Sequence, residues 1–514
     1  MLHVSSANPL AISSGNAEEE ASDRGTCSKN TADGSEKKNT RVVAKKDTTF
    51  YLVIGLFLAY GYYNTLRGSF PIQMRRIATD LNIPVAKIGL PTSVFSAFYG
   101  IGKFYGSILT DYLPCAECHT LGVLLCGLNL SAIGLCNGIS SISAMWGIQG
   151  LLQALGWPFL SRIVIDKLPQ EERAKYWGVL SMAGNVGSMV APYSAVLASA
   201  MGLSWRGALR LMGASSALIT LLVHALLKRG GAQRGPRVKA VEDSNAKKNP
   251  SGKEQPKGSW LSALKNPVLL LLMLCNSLSF GASKCTKEWG AMYLRGTHLA
   301  TTDMQSANLL FWAEVGGSIG AALSGVVSVC LGGRHALTCL LSGGLGALST
   351  GALAIKSYTW KGDGHGPMPF GLACLLQACS LAGINGVRTL AGLHMAEVAA
   401  YYKIPLGLAS GFGELIGQVG SVLSGLPIGA IVSRATARAR ARGKTAEEAT
   451  RIGWAVVLAV LTLASAGMAS FNLALLPAET KRLRAQAASS SKTEQLVEKV
   501  QSETEVPDDA VQGA

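Results

Sequence analysis

The sequence predicts an all-α membrane protein of twelve transmembrane helices in two pseudo-symmetric halves of six. Three observations predict it. Twelve long apolar stretches run through the 514 residues, each about as long as the ~20-residue helix that crosses a bilayer's hydrocarbon core. A basic polar stretch divides them six and six. Hydrophobic residues make up 48% of the chain and charged residues only 15%, well under the roughly 25% charge of ordinary soluble domains. Such stretches span as helices, because a helix satisfies its own backbone hydrogen bonds where no water is present.

Residues 1–48 are polar and lack the apolar core of a secretory leader, so no cleavable signal is expected. Their acids (Glu18, Glu19, Glu20, Asp23, Asp33, Glu36) argue against a transit peptide, and the stretch reads as a disordered cytoplasmic tail. The N-terminal six-helix half is expected over 49–227, with spans at 50–66, 87–110, 119–137, 142–164, 176–200 and 207–227. Span 1 ends on Arg67, span 2 holds Lys103 well inside it, and span 4 reaches Arg162 near its end. Residues 228–259 (Lys228, Arg229, Arg234, Arg237, Lys239, Lys247, Lys248) read as a basic cytoplasmic linker. The C-terminal half is expected over 260–477, with spans at 266–292, 306–331, 335–355, 368–393, 405–433 and 452–477. Lys284, Lys287 and Glu288 fall in span 7, Glu314 in span 8, Arg388 about two-thirds of the way through span 10, and Glu414 in span 11. Residues 478–514 read as a second disordered cytoplasmic tail.

The net charge of +16 raises nucleic acid as a partner. The bases, however, crowd into tails and loops beside apolar spans, which is the pattern that orients membrane proteins, and no nucleic-acid binding is expected. With both termini cytoplasmic, the N-terminal tail, the 4–5 loop, the linker and the C-terminal tail all put their bases on one side. The 11–12 connection breaks the pattern, placing Arg434, Arg438, Arg440, Arg442, Lys444 and Arg451 on the other. Cysteines such as Cys126, Cys275 and Cys339 lie inside apolar spans and behave as small hydrophobes. Cys115-Ala-Glu-Cys118-His119 spells the haem-attachment pattern by chance, in a short loop with nothing haem-like nearby. Glycine-rich pieces such as Gly316-Gly317 have neither the preceding strand nor the Gly-Lys-Ser/Thr of a nucleotide loop, so they serve close helix packing. There is no catalytic triad, metal cluster or hydrolase motif, so neither enzymatic activity nor a cofactor is expected.

A charge at the bilayer centre costs roughly 2.5–3.5 kcal/mol even on the lenient insertion scale, so intramembrane charges usually face a water-filled cavity. The cations Arg67, Lys103, Arg162, Lys284, Lys287 and Arg388 outnumber the acids Glu288, Glu314, Glu397 and Glu414. A cavity lined by them is electropositive and favours an anionic substrate. Each has a structural alternative. Arg67, Arg162 and Lys287 can snorkel to the headgroups, and Glu314 and Glu414 can neutralise buried cations.

A 6+6 layout with a central connection is the major facilitator architecture. Within it, three passages resemble the organophosphate:phosphate antiporters. They are Tyr62-Tyr63-Asn64-Thr65-Leu66-Arg67-Gly68, Gly102-Lys103-Phe104-Tyr105-Gly106-Ser107 with Asp111, and Gln153-Ala154-Leu155-Gly156-Trp157-Pro158 with Arg162. Cys285-Thr286-Lys287-Glu288-Trp289-Gly290, Glu314-Val315-Gly316-Gly317, Gly425-Leu426-Pro427 and Ser204-Trp205-Arg206 are similar to the glucose-6-phosphate translocase of the endoplasmic reticulum. Gly392-Leu393-His394-Met395-Ala396-Glu397 looks instead like the bacterial glycerol-3-phosphate member.

The resemblance implies a secondary transporter that exchanges a sugar phosphate, glucose 6-phosphate first, for inorganic phosphate across a lipid bilayer, with one chain working as a monomer. It implies the endoplasmic reticulum, with plastid and plasma membranes as alternatives. It makes Arg67 the substrate's phosphate grip and puts Lys103 beside it. The motifs add Tyr63, Gln153, Trp157 and Arg162. The family's second-half cation aligns with Ser283, so Lys284, one residue on, is expected to replace it; Arg388, with no counterpart in the family, is the other candidate. Three alternatives stand beside this reading: an antiporter for glycerol 3-phosphate or another organophosphate, a sugar-phosphate sensor that does not transport, and a major facilitator carrier for a neutral solute.

Overall fold

The structure is a computed structural model of the chain that describes residues 31–232, 265–360, 366–402, 404 and 406–504. Among these residues all regular structure is helical. In the first half, α1 (Thr31–Asp80) forms span 1, and a short α2 (Val85–Ile88) leads into α3 (Leu90–Leu109), span 2. Then come α4 (Cys115–Ile133), the broken pair α5 (Ile139–Ala154) and α6 (Gly156–Lys167), the broken pair α7 (Gln170–Val190) and α8 (Tyr193–Ala200), and α9 (Trp205–Arg229). In the second half, α10 (Pro267–Gly296), α11 (Asp303–Cys330), α12 (His335–Thr359) and α13 (Phe370–Tyr401) form spans 7–10. The broken pair α14 (Leu406–Leu423) and α15 (Leu426–Ala441) forms span 11, and α16 (Ala446–Thr504) forms span 12.

Side chains set several of these boundaries. Ser204, Asn266 and Thr302 cap α9, α10 and α11 by accepting from backbone N–H groups one turn on. Gly332 and Gly333, at φ +70° and +75°, make the left-handed turn between α11 and α12 that residues with a Cβ avoid. Nine of the described helical segments are long and apolar enough to cross a membrane. The other three spans, built from α1, α3 and α7–α8, fall short of that measure because they carry polar groups such as Asn64, Arg67 and Lys103. All three contribute residues to the space between the halves.

The helices alternate between two faces. We call proximal the face where α9 ends and α10 begins, and distal the face that holds the end of α1. Within the halves, α3 packs on α5, α4 on α9, α11 on α13 and α12 on α16. Between them, α3 meets α14 and α7–α8 meets α11. Spans 2 and 11 thus pair as spans 5 and 8 do, as expected of two parallel repeats about one axis.

The linker 228–259 lies largely outside the described residues. Its first residues finish α9, which ends at Arg229. The two expected tails need correction. Residues 1–48 form a unit apart from 49–514; 1–30 lie outside the described residues, and from Thr31 the chain is helical. At the other end α16 runs on through Pro477 to Thr504. Just past the expected span, Glu479 and Arg482 are buried. Glu479 Oε1 accepts from the Ala336 N–H at 2.9 Å in the first turn of α12, where a carboxylate is favoured by the helix dipole. Arg482 and His335 both reach Glu397, at 2.6 and 3.0 Å. These anchors order a segment that composition alone marks as tail.

Small residues set the closest approaches. A Cβ on Gly320 would stand 2.2 Å from the backbone oxygen of Ala382, and one on Gly316 2.2 Å from that of Ala378, so α11 and α13 touch backbone to backbone. Gly320→Leu should therefore destabilise the protein by about 1–3 kcal/mol. A clear fall in melting temperature in detergent is expected, whereas Gly344→Leu, where a Cβ meets nothing within 4 Å, should leave it unchanged.

Candidate functional site

A cavity of about 140 Å³ lies between the halves. The first half contributes Arg67 from α1 and Phe95, Tyr99 and Lys103 from α3; the second contributes Lys284, Lys287 and Glu288 from α10, Glu314 from α11 and Arg388 from α13. Helical periodicity explains the grouping. Residues 95, 99 and 103 recur every four along α3, and 280, 284 and 287–288 do so along α10, so each set shares a face.

The cations fall into two groups. Three lysines already hold carboxylates. Lys284 Nζ lies 2.5 Å from Glu288, one turn on along α10. Lys287 lies 2.8 Å from Glu314 of α11, and Lys103 lies 3.1 Å from Glu414 of α14, across the halves. Glu288 also accepts from Thr92 Oγ1 of the first half at 3.2 Å. The two arginines are different. Among the described residues neither Arg67 nor Arg388 forms an ion pair. Each lies on aromatic rings instead: Arg67 is 4.3 Å from the Tyr99 ring centre and 5.0 Å from that of Phe95, and Arg388 is 4.3 Å from that of Phe280. Arg67 Nε is buried with no hydrogen-bond partner. The cavity therefore carries two positive charges beyond its carboxylates, one from each half. A phosphate group of about −1.5 to −2 at neutral pH matches that surplus, and guanidinium forks suit it because they bond its oxygens bidentately.

Four of the eight residues expected at the site line the cavity: Arg67, Lys103, Lys284 and Arg388. Of the two second-half candidates, Lys284 pairs with Glu288, while Arg388 enters the cavity without an ion pair among the described residues. Ser283, aligned with the family's missing cation, is buried and donates to Asn385 Oδ1 at 3.3 Å, tying α10 to α13. The other four residues lie elsewhere. Arg162 pairs with Asp111 at 3.3 Å and Asp166 at 3.1 Å near the proximal end of α6. Tyr63 is buried and donates to the His119 carbonyl of α4 at 2.9 Å. Gln153 donates to the Tyr63 carbonyl at 3.2 Å, and Trp157 packs on Tyr60 and Trp177 with ring centres 5.1 and 5.3 Å away. Gln153 and Trp157 seat α1, and with it Arg67, against its neighbours. The aromatic floor of Phe95, Tyr99 and Phe280 was not foreseen, although its i, i+4 spacing to Lys103 and Lys284 was present in the sequence.

Twelve spans in two halves, with an anion-complementary cavity between them, define a two-bundle membrane protein. Residues 52–425 match the family described as Major Facilitator Superfamily, and the chain belongs to it. A probable hexose phosphate transport protein of Chlamydia pneumoniae is 25% identical over 417 residues, 77% of this chain and 88% of that protein. The membrane sensor protein UhpC of Escherichia coli is 24% identical over 394 residues, 74% and 85% of the two chains. These relatives agree with the likeness to organophosphate:phosphate antiporters carried by the motifs. Among solved structures, a bacterial homologue of the human lysosomal transporter Spinster superposes with a TM-score of 0.64 at 15% identity, covering 84% of this chain and 98% of that one; it attests the fold.

The two groups of cations should respond differently to substitution. Arg388→Gln removes a charge that has no partner, so the empty protein should melt no lower, while phosphate binding weakens by about 1.5–3 kcal/mol, roughly 10- to 150-fold. Lys284→Gln strands Glu288, whose side chain is 2% exposed, and should lower the melting temperature itself, because breaking a buried pair costs about 3–5 kcal/mol. Melting curves with and without phosphate separate the two outcomes.

Proposed function

We propose that this protein exchanges an organophosphate, glucose 6-phosphate first among candidates, for inorganic phosphate by alternating access. The observation that carries the reading is that Arg67 and Arg388 enter one cavity from opposite halves without carboxylates of their own. In the empty carrier their charges repel across the boundary and resist its closure. A phosphate dianion joins both and lets the halves close and reopen on the other side. A ligand shifts such an equilibrium only through its different affinity for the two states. The empty carrier should therefore turn over poorly, and one phosphate compound is drawn across against another. The sugar is discriminated by cavity walls such as Asn64 and Gln418, while the phosphate is held in common.

The polar contacts between halves suit one end state of this cycle. On the distal side Arg76 pairs with Asp303 at 2.9 Å, Tyr193 donates to Asn308 at 2.9 Å, and Ser93 donates to the Val422 carbonyl at 2.7 Å. The halves are fastened there. Orientation follows the early basic loops, so the proximal face is assigned to the cytoplasm; the likeness to the glucose-6-phosphate translocase supports the endoplasmic reticulum as the membrane, and a single chain is the working unit of this reading. UhpC, named as a sensor, keeps a non-transporting reading in view: such a protein would bind the same ligand without moving it.

Counterflow in liposomes decides between these readings. Vesicles preloaded with phosphate should take up labelled glucose 6-phosphate faster than glycerol 3-phosphate or triose phosphate, and empty vesicles should take up little. Binding without counterflow would establish the sensor. Equal uptake with no phosphate inside would contradict exchange. Uptake of glucose that phosphate does not inhibit would point to a neutral-solute carrier.

A further inference from the structure

The distal face carries a second pair of arginines, one from each half. Beyond the central cavity lies another of about 700 Å³, and beside it a third of about 610 Å³. Arg75 of α1 and Arg295 of α10 line both, so the two guanidinium groups occupy the wall that these cavities share. The larger cavity also shares Ile72, Pro192 and Leu310 with the central one. These three apolar side chains form the septum between the two sites.

The neighbouring Arg76 is committed to Asp303 and Ser199 in the contact that fastens the halves. Arg75 and Arg295 are not. Among the described residues neither forms an ion pair, and Arg295 Nη1 is buried with no hydrogen-bond partner. A buried donor left without a partner is destabilising, and an anion oxygen would satisfy it. One arginine comes from each half, as in the central cavity. Arg75 lies eight residues beyond Arg67, which is about 12 Å along α1, so the two tiers lie in sequence along a path through the molecule.

The 11–12 connection stands on the rim of the third cavity, which Ala446, Glu447 and Thr450 of α16 help to line. Arg434, Arg438, Arg440 and Arg442 are exposed and form no ion pair among the described residues. The acids that line the two cavities, Asp80, Asp303 and Glu447, face the partners Arg206, Arg76 and His298. An excess of exposed cations near a cleft raises the local concentration of anionic solutes.

We propose that Arg75 and Arg295 form a receiving site for a phosphate group, inorganic phosphate or a phosphate monoester, on the distal side of the septum, with the arginine-rich 11–12 connection as its collector. The site is filled while the Arg76–Asp303 contact holds the halves together, and its ligand passes to Arg67 and Arg388 once that contact opens. The proposal deepens the exchange reading, and one experiment separates their failures.

Labelled inorganic phosphate is bound to the full-length protein in neutral detergent at low salt, with size-exclusion profiles confirming folded variants. The wild type should bind two phosphates per chain. Arg75→Gln/Arg295→Gln should bind one, and Arg67→Gln/Arg388→Gln should also bind one. Arg75→Lys/Arg295→Lys, which keeps the charge, should regain most of the lost binding. If the wild type binds one and Arg67→Gln/Arg388→Gln none, the distal site is refuted while the exchange reading stands. If the wild type binds one and only the Arg75/Arg295 variant loses it, the distal site stands and the central reading falls. Micelles doped with phosphatidylserine provide the remaining arm. Loss of the second phosphate on adding them would assign the site to lipid headgroups and overturn the proposal for a soluble ligand.

Discussion

In the exchange we propose, Arg67 and Arg388, one on each side of the boundary and without an ion pair among the described residues, set the terms on which the halves can meet. A charge at membrane depth costs roughly 2.5–3.5 kcal/mol on the lenient scale. Stacking on Tyr99 at 4.3 Å returns on the order of 2 kcal/mol to Arg67, and its buried Nε makes no hydrogen bond among the described residues. The lysines nearby have settled the same problem with carboxylates. The arginines form no ion pair among the described residues, and in the exchange we propose that charge draws the anion and ties binding to the approach of the halves.

The surrounding fold holds that charge in place. Tyr63, Gln153 and Trp157 fix α1 against α4, α5 and α6, so Arg67 faces the cavity from a firm seat. A Cβ on Gly187 would lie 1.9 Å from the Gly61 carbonyl oxygen, so α7 holds α1 at backbone distance from another side. In the second half Glu288 serves two neighbours, Lys284 on its own helix and Thr92 across the boundary. On the distal side Trp289 donates to the Ser424 carbonyl at 2.7 Å, at the break between α14 and α15 where Ser93 also docks. Many small contacts fasten one end of the boundary, while its middle is left electrostatically unsatisfied.

The spans were legible because length and apolarity are local properties, and bilayer thickness fixes both. Arg67 and Arg388 were legible as costly charges inside apolar runs. Which cation would be free was not. The Lys284–Glu288 pair is visible as an i, i+4 spacing, but Lys287–Glu314 and Lys103–Glu414 depend on how separate helices are rotated, which no single span records. Gln153 and Trp157 were expected at the site from motif likeness, which does not say whether a side chain faces this cavity or a neighbouring helix; here they contact α1 and α7. The tail after 477 was misjudged for a related reason. Its sequence is polar, and only packing shows that Arg482 is buried and pairs with Glu397.

The most direct measurement is a structure of the protein with inorganic phosphate bound. The account predicts density between the guanidinium groups of Arg67 and Arg388, touching both halves, with the Lys284–Glu288 pair intact. Phosphate held by one half alone, or by Lys284 after displacing Glu288 while Arg388 stays on Phe280, would contradict it.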